Sequence, residues 1–187
     1  MKKFFGDHSY NMVKMFLNQI ATAIFGFALV LAAGKANNVT LRNVTSVCAI
    51  LFYLFLLYTM TWEIGFSDKV SVESGKKKPM PLKGALISLC ANSVNFLLAI
   101  FVMLAQLLPQ SFISTIGGVC APAALLVEGM YTGLLANHAF GAPLNSYWWV
   151  YFLLPIPAIL ICGVAYQMGI HDLKLTPPAA SKDNKKK

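Results

Sequence analysis

The sequence predicts an all-α fold, a polytopic bundle of membrane helices, and three observations point to it. Hydrophobic residues make up 57% of the 187 residues and charged residues only 12%. A soluble domain carries about 25% charged residues because its surface must face water. The apolar residues gather into four runs, each long enough to supply the roughly 20 helical residues that cross a ~30 Å hydrocarbon core. The net charge is +8, and its lysines stand at the edges of those runs, as in loops that flank a membrane. The same positive balance in a soluble chain would suggest nucleic acid. Its placement here excludes that reading.

The elements follow in order. Met1–Lys14 is a basic, aromatic lead, with Lys2, Lys3, Phe4, Phe5, Tyr10 and Lys14, expected to lie on the cytoplasmic leaflet. The first span is expected over 15–33, closed by Gly34-Lys35, and is read as a transmembrane helix because no clear cleavage pattern follows it. The second span runs over 44–62 and ends on Trp62. A polar loop over 66–84 carries five lysines, and Pro79 and Pro81 precede the next helix, where proline is tolerated. The third span covers 85–108 and stops at Pro109. The last covers 148–169 and opens on Tyr147, Trp148 and Trp149, aromatics suited to headgroup depth. Residues 15–173 form a single bundle on this reading. The basic tail 174–187 is expected to be disordered.

The apolar stretch 113–136 is predicted to be a re-entrant or interfacial helix and not a fifth span. Gly117-Gly118 and Pro122 interrupt it, leaving a helix short for a crossing. Charge placement argues the same way. With four spans, three basic residues of the lead, five of the loop and five of the tail share one side, thirteen in all, and only Lys35 and Arg42 face the other. With five spans that asymmetry disappears. The larger share belongs inside, so both termini are expected in the cytoplasm. The plasma membrane is the expected location.

Polar residues within the apolar runs are the candidate functional groups. Ser88, Asn92, Asn95, Ala99 and Gln106 recur at helical spacing along the third span and share one face. That face must point into protein or a wet cavity, because lipid cannot satisfy it. Asn11, Asn18, Thr22, Gly26 and Ala33 form a matching stripe on the first span. Two readings fit these stripes: packing between helices, or a polar pathway through Asn18, Thr22, Asn92, Asn95 and Gln106. Glu128 is the sole acidic residue between Glu73 and Asp172, in a region without lysine or arginine. An ionisable group at membrane depth suggests function, whereas a shallow one would be hydrated. Glu128 is expected in an outward-facing pocket beside the bend at Pro155 and Pro157, with Tyr131 able to donate a hydrogen bond. Glu63 is expected to be a solvated helix-end charge.

Cys48, Cys90, Cys120 and Cys162 lie singly in apolar runs, where cysteine behaves as a small hydrophobe. His138 and His171 have no second ligand at metal spacing, so neither metal nor cofactor is expected. The sequons at Asn38 and Asn43 carry no functional weight. There is no internal repeat of the kind inverted-repeat transporters show. Pro81-Leu-Lys-Gly84, Gly129-Met-Tyr-Thr-Gly133, Pro155-Ile-Pro157 and Gly163-Val-Ala-Tyr166 resemble segments of small polytopic membrane proteins of Gram-positive bacteria. That resemblance implies a bacterial plasma membrane and no particular activity.

Two function classes remain. One is a transport-related or accessory membrane subunit with a small polar site among its helices. The other is a structural or regulatory interaction protein whose polar seams only hold the bundle together. An enzyme is the least supported class, for want of a nucleophile–base pair or paired carboxylates. Expected partners are the lipid bilayer, with anionic lipid at Lys76, Lys77, Lys78 and the C-terminal lysines, and a partner membrane subunit or a second copy.

Overall fold

The computed structural model describes residues 2–76, 80–108 and 111–173. Lys77, Lys78 and the tail 174–187, with the anionic-lipid contact and the disorder expected of them, lie outside the described residues. Helices dominate: α1 (Lys2–Lys35), α2 (Val39–Glu73), α3 (Lys83–Ala91), α4 (Ser93–Leu107), α5 (Ser111–Val127), α6 (Thr132–Leu135), α7 (Trp148–Leu153) and α8 (Ile156–Ile170). Three stretches are long and apolar enough to cross a membrane: His8–Lys35, Val39–Glu73 and Trp148–Ile170. Two further stretches reach that length only as bent pairs, α3 with α4 at 53° and Thr115–Val127 with Gly129–Leu135 at 83°. Leu17, Ile24 and Leu31 of α1, Leu51 and Phe55 of α2 and Leu160 and Val164 of α8 all point outward, as helices surrounded by lipid require.

Several boundaries differ from those read in the sequence. The basic lead is not a separate segment, because α1 is helical from Lys2 onward. α2 continues through Glu73, so the polar loop loses 66–73. The extension persists because it is packed: Gly65 lies against the Tyr166 and Gly169 backbone of α8, and Asp68 is buried. The third span is broken at Asn92. Its Nδ2 donates to the Ser88 carbonyl at 2.9 Å and to the Ser88 hydroxyl at 3.4 Å, a side-chain bond that competes with the helical ladder. Pro122 does not end its helix, since α5 runs through it. Gly117 instead provides the close approach to Ala105 of α4. Lone strands of two residues, His138–Ala139 and Ala142–Pro143, form a hairpin. Its two central residues, Phe140 and Gly141, both have positive φ, as a tight hairpin turn demands.

α1 and α2 run antiparallel, with a turn at Ala36–Asn38 whose last residue caps α2, Asn38 Oδ1 accepting from the Leu41 N–H at 3.1 Å. α2 and α8 run side by side in the same direction, Gly65 against Tyr166 and Gly169 against Trp62. At the end of the bundle where α2 finishes, Trp62 Nε1 donates to the Leu173 carbonyl at 2.7 Å and Gln167 Nε2 to the Pro81 carbonyl at 2.5 Å.

The segment between α4 and α7 begins and ends at the opposite end of the bundle. α5 starts where α4 stops and packs back along it, Gly117 against Ala105. The chain then turns at Glu128. Gly133 returns to Ser46 and Arg42 near the start of α2, and Asn137 is held by Arg42 Nη2 at 2.8 Å and donates to Asn43 Oδ1 at 2.9 Å. Gln106, near the end of α4, donates to the Ser146 carbonyl at 3.1 Å, closing the same end.

Candidate functional site

The break after α5 places a carboxylate in the core. Gly129 lies so close to α1 that a Cβ there would come within 2.3 Å of the Ala23 carbonyl oxygen, and one on Gly26 would come within 2.6 Å of the Met130 Cα. Small residues on both sides let the turn wedge against α1. Glu128 is thereby buried, 4% exposed, and accepts a hydrogen bond from Gln19 Nε2 at 3.3 Å. Among the described residues it forms no ion pair. Tyr131 is buried, and its hydroxyl has no hydrogen-bond partner among the described residues. Tyr53 of α2 is buried as well.

Glu128 is therefore deep and not at the rim. Its contact is with the middle of α1, through Gln19. Gln19 and Tyr53 were missed in the sequence. The signal for Gln19 was present: Met12, Met15, Gln19, Thr22, Gly26, Val30 and Ala33 recur at steps of three and four, and all are buried. The stripe read in the sequence shares Thr22, Gly26 and Ala33 with this face, and only Asn11 and Asn18 lie one residue off it.

The remaining candidates divide. Asn92 and Asn95 are buried, and Asn95 Nδ2 donates to Asn92 Oδ1 at 2.8 Å. Asn95 Oδ1 has no partner. Thr22 is buried, and its hydroxyl is taken up by the Asn18 and Gln19 carbonyls of its own helix, at 2.8 and 3.0 Å. Asn18 reaches the Met60 sulfur at 3.9 Å. The hydrogen bonds of the two stripes thus do not join Asn92 and Asn95 to Asn18 and Thr22. Gln106 is exposed and belongs to the loop contact with Ser146, outside the buried asparagine face.

A second polar cluster has no counterpart in the sequence reading. Lys83 Nζ lies 2.5 Å from Asp68 Oδ2, and the Tyr166 hydroxyl donates to the same oxygen at 2.9 Å. Both charged residues are 6% exposed, although the sequence places them in a solvated loop. Beside them a cleft of about 310 Å³ is lined by His8, Asn11, Lys14, Glu63, Ser67 and Asp68 among others. Glu63 is exposed as expected, but it lies within α2 and not at its end, because the helix continues to Glu73.

No protein-family model, curated protein or solved structure matches the chain.

Proposed function

We propose that this chain is an integral membrane protein with a transport-related role, in which Glu128 takes up a proton or a small cation in the middle of the bundle. The observation that carries this reading is a buried carboxylate at an 83° helix break whose hydrogen-bond partner, Gln19, is neutral. A bare charge in such surroundings costs several kcal/mol or more. A proton or a cation removes that cost. The α5 C-terminus suits a cation, because helix C-termini carry the negative end of the dipole. The partnerless Tyr131 hydroxyl supplies a further oxygen beside it. Broken helices that end at mid-depth and return are a recurrent way to build such sites.

The test uses the full chain in liposomes that enclose a pH-sensitive dye, with an imposed sodium or potassium gradient. Wild type is expected to move protons or the cation faster than protein-free liposomes. Glu128→Gln is expected to abolish that flux while melting within a few degrees of wild type. Wild-type flux no greater than background, or unchanged flux in the variant, sinks the reading.

The accompanying topology is four crossings, with 113–136 re-entrant and both termini in the cytoplasm of a plasma membrane. It is supported by the contacts that bring Gln106 and Asn137, on either side of this segment, to one end of the bundle and by the thirteen-to-two division of basic residues. A reporter active only outside the cytoplasm, fused after Lys187, is expected to stay silent. Strong activity would exclude the arrangement.

A structural or regulatory role is the second reading, with a partner subunit or a second copy as the binding partner. It is favoured by the Ser88–Asn92–Asn95 chain, whose hydrogen bonds run along α3 and α4 alone. On that reading Glu128→Gln alters stability and nothing else.

A further inference from the structure

Lys35 and Arg42 are the two basic residues that the charge asymmetry leaves on the minority side. The fold brings both to one groove. Lys35 closes α1, and Arg42 lies one turn into α2. Between them runs a cleft of about 870 Å³ whose walls include Ala28, Leu31 and Ala32 of α1 and Thr132 of α6. Sharing Gly34 and Arg42 with it is a smaller cleft of about 150 Å³, lined by Asn37, Asn38 and Val39 at the start of α2.

The two compartments differ in chemistry. The larger is lined by short apolar side chains along the outward face of α1, next to the exposed Leu31. The smaller is polar and sits at the N-terminus of a 35-residue helix, where the dipole favours an anion. No acidic residue lines either cleft. Neither Lys35 nor Arg42 forms an ion pair among the described residues. Arg42 spends one Nη2 donor on Asn137, while its buried Nε has no partner. A guanidinium with donors to spare is suited to the planar, paired oxygens of a phosphate.

We propose that this groove is a binding site for an anionic phospholipid, with its phosphate held by Lys35, Arg42 and the start of α2, and an acyl chain lying along Ala28, Leu31 and Ala32. An uncharged amphiphile would leave the two cations unmatched. A free soluble anion would leave the apolar groove empty. The site is distinct from Glu128, which lines neither cleft, so it stands or falls independently of the proposed transport role.

The test reconstitutes the full chain in phosphatidylcholine vesicles containing a minor fraction of phosphatidylglycerol that carries a photoreactive diazirine on its acyl chain. Cross-linked peptides are mapped by mass spectrometry. Labelling is expected within Ala28–Arg42, and unlabelled phosphatidylglycerol should compete it more effectively than added phosphatidylcholine. Lys35→Gln is expected to cut labelling at that peptide about five-fold, since a basic residue near the surface contributes about 1 kcal/mol toward anionic lipid. Ala32→Phe, which fills the apolar part, is expected to reduce it at least as much. Both residues are exposed, so neither variant threatens the fold, and labelling of other peptides serves as the internal reference. Equal competition by the two lipids, or unchanged labelling in Lys35→Gln, overturns the site. Unchanged labelling in Ala32→Phe would show a headgroup contact without an acyl groove and also overturn it.

Discussion

Replacing Lys83 with methionine is expected to destabilise the protein by about 3–5 kcal/mol, because it removes a buried ammonium from contact with a buried carboxylate. Asp68 and Lys83 are each 6% exposed, and Lys83 Nζ lies 2.5 Å from Asp68 Oδ2. In the variant the Tyr166 hydroxyl still donates to Asp68, but a neutral donor does not match an ammonium. Methionine keeps the length of the lysine stem, so packing lost around the side chain contributes little. The double variant Lys83→Met/Asp68→Leu removes both charges. Buried pairs replaced together by apolar groups are often neutral in stability, so it is expected to recover most of the loss. Thermal melting of the purified full chain in detergent reads both. A single variant no less stable than the double would mean that the pair does not hold α2, α3 and α8 together.

Gly169→Val is expected to be at least as damaging, at about 3 kcal/mol or more. Overpacking typically costs about 1–3 kcal/mol when neighbouring side chains can shift, and here the obstruction is main chain. A Cβ on Gly169 would lie 2.3 Å from the Trp62 carbonyl oxygen and 2.9 Å from the Phe66 nitrogen. Neither atom can move without parting α2 from α8 where Gly65 faces Tyr166. Gly118→Ala provides the contrast. Nothing lies within 4 Å of its added Cβ, and alanine is favoured over glycine inside a helix by about 1 kcal/mol. It is expected to melt at or slightly above wild type. Comparable melting of Gly169→Val and wild type would mean that α2 and α8 do not meet at this point.

The helical class and the apolar stretches that could cross a membrane were legible in the sequence because both depend on local properties. Runs of about 20 apolar residues need no partner to announce themselves. The 3.5-residue recurrence that buries Ser88, Asn92, Asn95 and Ala99 is likewise a short-range property of the chain, and it persists across the break between α3 and α4. The isolation of Glu128 among residues without basic groups could also be read directly from the chain. Its depth could not, because depth depends on whether the turn after α5 can approach α1. That approach is set by Ala23 and Gly26 meeting Gly129 and Met130, more than 100 residues away along the chain.

The same distinction explains the boundaries and the missed cluster. A polar sequence such as Phe66–Glu73 reads as a loop when judged alone. It is helix here because Gly65 and Asp68 pack against α3 and α8, and local propensity yields to tertiary contact. Asp68, Lys83 and Tyr166 carry no spacing that links them, so their shared hydrogen bonds exist only after α2, α3 and α8 converge. Lys35 and Arg42 were visible as exceptions to a charge rule, but their common groove required the α1–α2 turn and the return of Thr132. Secondary structure and burial pattern follow from short-range periodicity and solvent preference. Which polar groups meet follows from how closely backbones can approach, and that is decided by small residues on helices distant in sequence.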